Sequence, residues 1–144
     1  MAFKVDRSRS IISAMILGRK VTAMDVAWLR REVFADGAVS REAADELFLV
    51  ERAGVAQTPA WTELFVEMIT EHVVWDSRPT GVINEEQAEW LMTRCDDCRS
   101  VNALAALVNV LSEAHRAPRW FLAAVRARAS QGWSGVAEAL AAAS

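Results

Sequence analysis

The chain has 144 residues, two cysteines and a formal net charge of −3 at pH 7. A chain of this length can bury well over half of the surface that its unfolded form exposes, so it needs no disulfide framework to fold as one domain. So few cysteines argue against a secreted disulfide scaffold, and no apolar run approaches the roughly 20 residues of a membrane span. We therefore expect a cytoplasmic protein.

Charge is distributed unevenly along the chain. Residues 1–20 sum to +4, residues 21–98 to −10 and residues 99–144 to +3. Basic residues follow the apolar run 11–17 at the place where a signal peptide would carry its small-residue cleavage site, so a signal peptide is not expected. We predict instead that residues 1–20 form a basic arm or a first helix. Residues 21–144 are predicted to form a single helical domain. The acidic middle is either a solvated face partly covered by the basic ends or a surface that attracts cations or a basic partner.

The spacing of apolar residues predicts an all-α fold with about seven helices and no sheet. The first helix is expected near 21–35, with Met24, Ala27, Trp28 and Val33 on its apolar face, and its start could lie at Ile11 or at Thr22. The next two helices are predicted near 41–53, after the cap Ser40, and near 59–75, starting with Pro59. A fourth helix follows the cap Asn84, with Gln87 as its capping-box partner, and a fifth runs from about 101 to 115. The sixth starts at Pro118, and a short seventh follows 132–135.

A pattern of turn and helix occurs twice at a constant offset of 44 residues, at 36–48 and at 80–92. Each copy has a glycine, a β-branched residue two positions later, a capping residue and an acid in the first turn of a helix. Pro59-Ala60-Trp61 and Pro118-Arg119-Trp120 form a shorter second echo. The repeat predicts a compact bundle built from two related helical lobes that share one core.

The two glycine turns invite comparison with EF-hand calcium loops, which need glycine at position 6 and a bidentate acid at position 12. With Gly37 or Gly81 at position 6, position 12 is Ala43 or Gln87, so neither turn is a working EF-hand. The acids beside the turns are explained either by the helix dipole or by another kind of divalent-cation site, for calcium or magnesium. The candidate ligands of such a site are Asp36, Glu42, Asp76 and Glu86.

The remaining reactive side chains suggest no chemistry. Cys95-Asp96-Asp97-Cys98 could be half of a zinc site or a redox pair, but the sequence has no second pair of ligands, and the aspartates should raise the thiol pKa values. Cys95 is expected to be a core residue. His72 and His115 are expected to be packed and hydrogen-bonded. Without a nucleophile elbow, phosphate loop or cofactor fingerprint, we predict no enzymatic activity and no cofactor, and a pI near 5.4 argues against nucleic-acid binding.

The motif Asp36-Gly37-x-Val39-Ser40-x-Glu42, with the alanine- and leucine-rich helix after it, resembles the TerB-like tellurite-resistance family, and 59–65 looks like a segment of bacterial relatives of that group. The resemblance covers roughly residues 21–92. It implies a compact all-α domain in a bacterial cytoplasm, linked to stress response and metal sensing. It also implies a cation site on the two turns, with Asp36, Glu42 and Glu86 at the matching positions. Thr80 departs from this pattern, because it stands where the second copy would have an acid.

These observations lead to three functional hypotheses. The first is a non-enzymatic interaction or scaffold protein, whose unknown protein partners could include a second copy of the chain as a homodimer. The alternative is a divalent-cation-binding or sensing domain that uses the acids near the turns. In the third, the basic N-terminal segment docks on an anionic membrane or a nucleic acid, although the second anchoring signal or longer polybasic run that such docking needs is missing.

Overall fold

The computed structural model describes residues 13–131, which form seven α-helices and, within that range, no β-strand beyond two isolated bridges. The predicted all-α bundle of about seven helices is thus confirmed. The predicted helix after 132–135 and most of the basic segment lie outside the described residues. The helices are α1 (residues 13–18), α2 (Ala23–Trp28), α3 (Arg41–Ala53), α4 (Pro59–Thr70), α5 (Glu85–Cys98), α6 (Val101–Glu113) and α7 (Arg119–Ser130).

Two of the helices end in a π-helical turn. Helix α2 continues as Leu29–Val33 and α4 as Glu71–Trp75. In each turn a backbone N–H bonds five residues back, from Phe34 to Leu29 at 2.9 Å and from Asp76 to Glu71 at 2.8 Å. A π-turn widens the helix and shifts the angular phase of the side chains that follow it.

The predicted apolar face of the first helix was partly wrong. Met24 is 82% exposed, and the side chains that α2 and its π-turn bury are Val26, Leu29 and Val33. Thr22 caps α2 in a reciprocal capping box with Asp25, which fixes the start of the helix. Ala27, also placed on that face, is exposed too, because the face that α2 buries passes through Val26 and Leu29 instead.

Side-chain caps start the helices of the repeat. Ser40 accepts a hydrogen bond from the Ala43 N–H at 3.1 Å, and Asn84 accepts one from the Gln87 N–H at 2.8 Å, so both predicted N-caps are confirmed. The predicted capping-box role of the Gln87 side chain was wrong. Its amide instead donates to Ser77 at 2.5 Å, because the turn before α5 brings that hydroxyl within reach.

Equivalent turns precede the two capped helices. Gly37 and Gly81 both have positive φ, 76° and 80°, the region that glycine adopts without a Cβ penalty. Two isolated parallel bridges then tie the entries of helices together in pairs, Lys20 with Ala56 before α2 and α4, and Val82 with Arg116 before α5 and α7. The bridges fix where these helices begin relative to each other.

One hydrophobic core runs through both copies of the repeat. Phe48 of α3 makes edge-to-face contacts with Phe65 of α4 at 5.1 Å between ring centroids and with Trp90 of α5 at 5.7 Å. Trp61 and Phe121 are also fully buried. Such aromatic pairs add about 0.5–1.5 kcal/mol each beyond the area they bury. Among the described helices, none has the length and apolar character needed to cross a membrane.

Candidate functional site

A cluster of polar side chains joins the first turn of α3 to the first turn of α5, and we call it the polar junction. At its centre, the Arg41 guanidinium pairs with the Glu86 carboxylate through two nitrogen–oxygen contacts of 2.9 and 3.0 Å. The same guanidinium lies 4.4 Å from the centroid of the Trp90 ring. Bidentate pairing and stacking on an aromatic face are geometries that arginine favours. The members of the junction are Val39, Arg41, His72, Asp76, Glu86, Gln87 and Trp90.

His72 forms the buried side of the junction and is 7% exposed. Its Nδ1–H donates to the Val39 carbonyl at 2.8 Å, and its Nε2 accepts a hydrogen bond from the Arg41 Nε–H at 3.1 Å. The ring is therefore neutral with its proton on Nδ1. Burial lowers the pKa of His72, and the Arg41 charge lowers it further, against the Val39 carbonyl and the carboxylates of Asp76 and Asp45. The expectation of a packed, hydrogen-bonded His72 is confirmed.

His115 differs from that expectation. Its side chain is exposed, and its ring contacts the edge of Trp75 at 6.4 Å between centroids. The backbone holds it in place, since the His115 N–H donates to the Gly81 carbonyl at 2.7 Å. It lies two residues beyond the end of α6, so the helical stripe that suggested burial no longer applies there.

The four carboxylates proposed as cation ligands have separate surroundings. Asp76 accepts a 2.6 Å hydrogen bond from the Val39 N–H, which links the end of the π-turn after α4 to the first repeated turn. Glu86 pairs with Arg41, and this pairing lowers the pKa of the carboxyl group. Asp36 accepts from the Ala38 N–H at 3.1 Å within its own turn, and Glu42 is exposed in the first turn of α3.

Cation ligands have to converge on one point, and the structure brings only some of these acids near each other. Asp76 and Asp36 both bond to the backbone of the first turn, whereas Glu86 is held by arginine. Within residues 13–131, no three His, Cys, Asp or Glu side chains are grouped as a metal ion requires. The calcium or magnesium site stays a prediction.

A second feature is a groove between α3 and α5 that encloses a cavity of about 280 Å³. The Arg94 guanidinium spans the two helices, 2.9 Å from Asp45 on α3 and 3.9 Å from Asp97 on α5. Asp45 also accepts a 3.0 Å hydrogen bond from the Trp90 indole, so the polar junction and the groove share a wall. The groove is lined by Asp45, Phe48, Leu49, Arg52, Arg94, Asp97 and Cys98.

Both cysteines are free thiols held by the fold. Cys95 is fully buried and its thiol lies 3.5 Å from the Ala103 carbonyl, which confirms its predicted place in the core. Burial raises the pKa of Cys98 to about 12 and that of Cys95 well above its usual range. The expected direction of the shift is confirmed, but burial contributes more than the neighbouring aspartates. Such thiols are poor nucleophiles and poor metal ligands at neutral pH.

A buried carboxylate that the sequence reading missed lies between α3 and α6. Glu51 is 5% exposed and accepts hydrogen bonds of 2.7–2.8 Å from four side chains. The sequence carried one signal for it, because Glu51 falls on the same helical face as Ala44, Leu47 and Phe48. The four donors are Gln57, Trp61, Ser100 and Asn102.

Comparisons of the chain with protein-family models, with curated proteins and with solved structures find no match. The resemblance to the TerB-like family accordingly rests on the sequence motifs of residues 36–48 and 59–65 alone.

Proposed function

We propose that this chain is a non-enzymatic interaction protein that binds a helical segment of a partner protein in the groove between α3 and α5. The observation that carries the proposal is the position of Leu49. This side chain is 46% exposed at the edge of a cavity whose lining also includes the buried Phe48 and the half-buried Cys98. Phe48, Leu49 and Cys98 form an apolar centre, with the charged side chains of the lining around it, and an apolar core inside a polar rim is the usual layout of a protein–protein interface.

The size of the groove favours side chains over a cofactor. Its cavity of about 280 Å³ lies just below the range of roughly 300–1,000 Å³ typical of small-molecule sites. Two helices form its walls, as in complexes where an amphipathic helix lays its apolar face into a groove. The occupant we infer is such a helix with one or two large apolar side chains.

The charges around the groove indicate a further property of the partner. Arg94 is engaged by Asp45 and Asp97, whereas exposed Arg52 has no ion-pair partner among residues 13–131. A carboxylate on the partner next to its apolar anchor would pair with Arg52. Arginine is enriched at protein interfaces because it combines an apolar stem with a forked charge.

The chemistry of the described side chains supports a role without catalysis. His72 already uses both ring nitrogens, and burial raises the pKa values of both cysteines. The two free thiols also support our proposal of a cytoplasmic location, where thiols stay reduced. A role in the stress response of a bacterium is proposed from the family resemblance alone.

The test is photo-cross-linking inside the producing cells, with a benzophenone amino acid at Leu49 and, as a control, at Leu122 of α7. Leu122 is 43% exposed, so the two positions are matched in accessibility. We expect one adduct that is specific to position 49 and that is lost when Arg52→Glu is added. The purified partner should then bind the unmodified chain at least about tenfold more tightly than the Leu49→Asp variant. Its affinity for the Leu122→Asp variant should equal its affinity for the unmodified chain.

Two outcomes would contradict the proposal. One is an adduct pattern that is the same at both positions. The other is a purified partner whose affinity is unchanged by Leu49→Asp, provided that circular dichroism shows the variant folded. An adduct between two copies of the chain would assign the groove to a homodimer and overturn the assignment to a separate partner.

A further inference from the structure

The polar junction contains an arrangement that protonation would disrupt. The His72 Nδ1–H donates to the Val39 carbonyl at 2.8 Å, and the Arg41 Nε–H is accommodated because His72 Nε2 carries a lone pair that faces it at 3.1 Å. A proton on Nε2 would point at the Arg41 N–H, leaving two donors and two positive charges in contact. Arg41 is the group free to move, because its side chain is 35% exposed and the ring is buried.

We propose that His72 is a proton-operated latch, in which a neutral ring holds Arg41 across the junction and a protonated ring releases it. Release would detach Arg41 from Glu86 and Gln87 and from the face of Trp90, the contacts through which it joins α3 to α5. The latch goes beyond the proposed groove and does not depend on it. Histidine is suited to this role because its charge changes in the physiological pH range.

The groups facing His72 come from every element around it. Helix α3 supplies Arg41, which opposes a second proton, and Asp45, which favours it. The turn after α4 supplies Asp76, whose carboxylate also favours the second proton on His72. Helix α5 supplies Glu86, which is held by Arg41, and Trp90, whose ring centroid lies 5.2 Å from that of His72. Burial outweighs the two carboxylates and lowers the pKa of the ring.

The direction of the pH effect follows from that shift. Because the folded ring binds its proton less readily than the unfolded chain does, stability is unaffected above the ordinary pKa of about 6.5. As pH falls below that value, the unfolded state gains protons first and the folded state loses stability, until the ring of the folded protein is protonated too. The contribution of His72 to stability is therefore lost in mildly acidic solution.

The experiment uses the fact that the chain has only two histidines. The carbon-bound ring protons of His72 and His115 are followed by NMR from about pH 8 to about pH 4.5, in EDTA so that no cation takes part. The Arg41 Nε–H and Trp90 indole N–H signals are recorded in the same samples. We expect both signals to shift with the midpoint of His72, and His72 to titrate below its ordinary value.

The matched variants are His72→Gln and His115→Gln. A glutamine at 72 can donate to the Val39 carbonyl and accept from Arg41 without titrating, so the Arg41 and Trp90 transitions should vanish in His72→Gln and persist in His115→Gln. Arg41→Met is a second, independent variant, since removing the guanidinium should move the His72 midpoint upward. The latch is refuted if the Arg41 and Trp90 signals ignore His72 protonation, or if Arg41→Met leaves the His72 midpoint where it was.

Discussion

Glu51 is the one buried carboxylate among residues 13–131, and four side chains donate to it. Glu51→Ala should lower the free energy of unfolding by about 3–5 kcal/mol, because it takes this acceptor from the two buried donors, the Trp61 indole and the Asn102 amide, at roughly 1–3 kcal/mol each. Glu51→Gln should cost only about 1 kcal/mol, since its oxygen still accepts and the Ser100 hydroxyl can turn to accept from the new amide. Urea unfolding of both variants measures the difference, and equal losses would mean that hydrogen bonds do not account for the burial.

Cys98 provides a test of thiol reactivity. With a pKa of about 12, its thiolate is scarce at neutral pH, although the few thiolates present are more nucleophilic. We expect iodoacetamide to alkylate Cys98 about 100-fold more slowly in the folded protein than in urea at about pH 7.4. Mass spectrometry of the peptide with Cys95 and Cys98 follows the reaction. Folded and unfolded rates within a few-fold of each other would show an accessible, ordinary thiol and reopen the redox hypothesis.

The burial of individual residues was predictable where it follows from a helical face and was missed where it follows from distant partners. Cys95 and His72 continue apolar stripes, so their positions were read correctly from local spacing. The donors to Glu51 lie as far as 51 residues away along the chain, so no local pattern could pair them with it. Asp76 was chosen as a candidate cation ligand because it is a carboxylate near a repeated turn, and its contact with the Val39 N–H, 37 residues away, has no signature in the sequence.

At the scale of elements, the two repeated turns form a natural pair for comparison. Gly37 and Gly81 have nearly the same positive φ, but a Cβ on Gly81 would lie 2.5 Å from His115 Cδ2, whereas one on Gly37 would meet no heavy atom within 4 Å. Gly37→Ala should therefore cost about 1–2 kcal/mol of stability from backbone strain alone. Gly81→Ala should cost at least about 1 kcal/mol more, because the ring has to move. Urea unfolding at about pH 7.5 checks both values.

A double-mutant cycle identifies the cause of that extra loss. Adding His115→Ala should remove the steric part of the Gly81→Ala effect and leave its cost close to that of Gly37→Ala. If the cost of Gly81→Ala is the same with and without the histidine ring, the contact with His115 does not explain the difference between the two turns.

The helices themselves were largely predictable, and their irregular ends were not. Ser40 and Pro59 mark the starts of α3 and α4, and apolar spacing gives their lengths. The π-turns at Leu29–Val33 and Glu71–Trp75 went unpredicted, because a bond to the fifth residue back requires no particular composition and depends on tertiary packing. The groove was missed for a related reason, since its walls come from α3 and α5 and their separation depends on how the helices pack.

At the scale of the whole molecule, the repeat raises the question of whether the two lobes are independently stable. Helix α3 of the first copy meets helix α5 of the second through the contact of Phe48 with Trp90, and Phe48 also touches Phe65 of α4. One hydrophobic core contains buried residues from each of the seven described helices. A lobe removed from this core would expose its apolar face, so the lobes should not unfold separately.

Urea unfolding should accordingly show one transition, with the same midpoint by far-ultraviolet circular dichroism and by tryptophan fluorescence. Phe48→Ala should move this entire transition to lower urea, by about 3–5 kcal/mol, because the ring is 3% exposed and its removal leaves a cavity between the lobes. Its neighbour Leu49 is 46% exposed, so Leu49→Ala should cost less than about 1 kcal/mol and serves as the control. Two separate transitions, with Phe48→Ala shifting only one of them, would mean that the copies of the repeat fold as distinct units and that the shared core adds little to either.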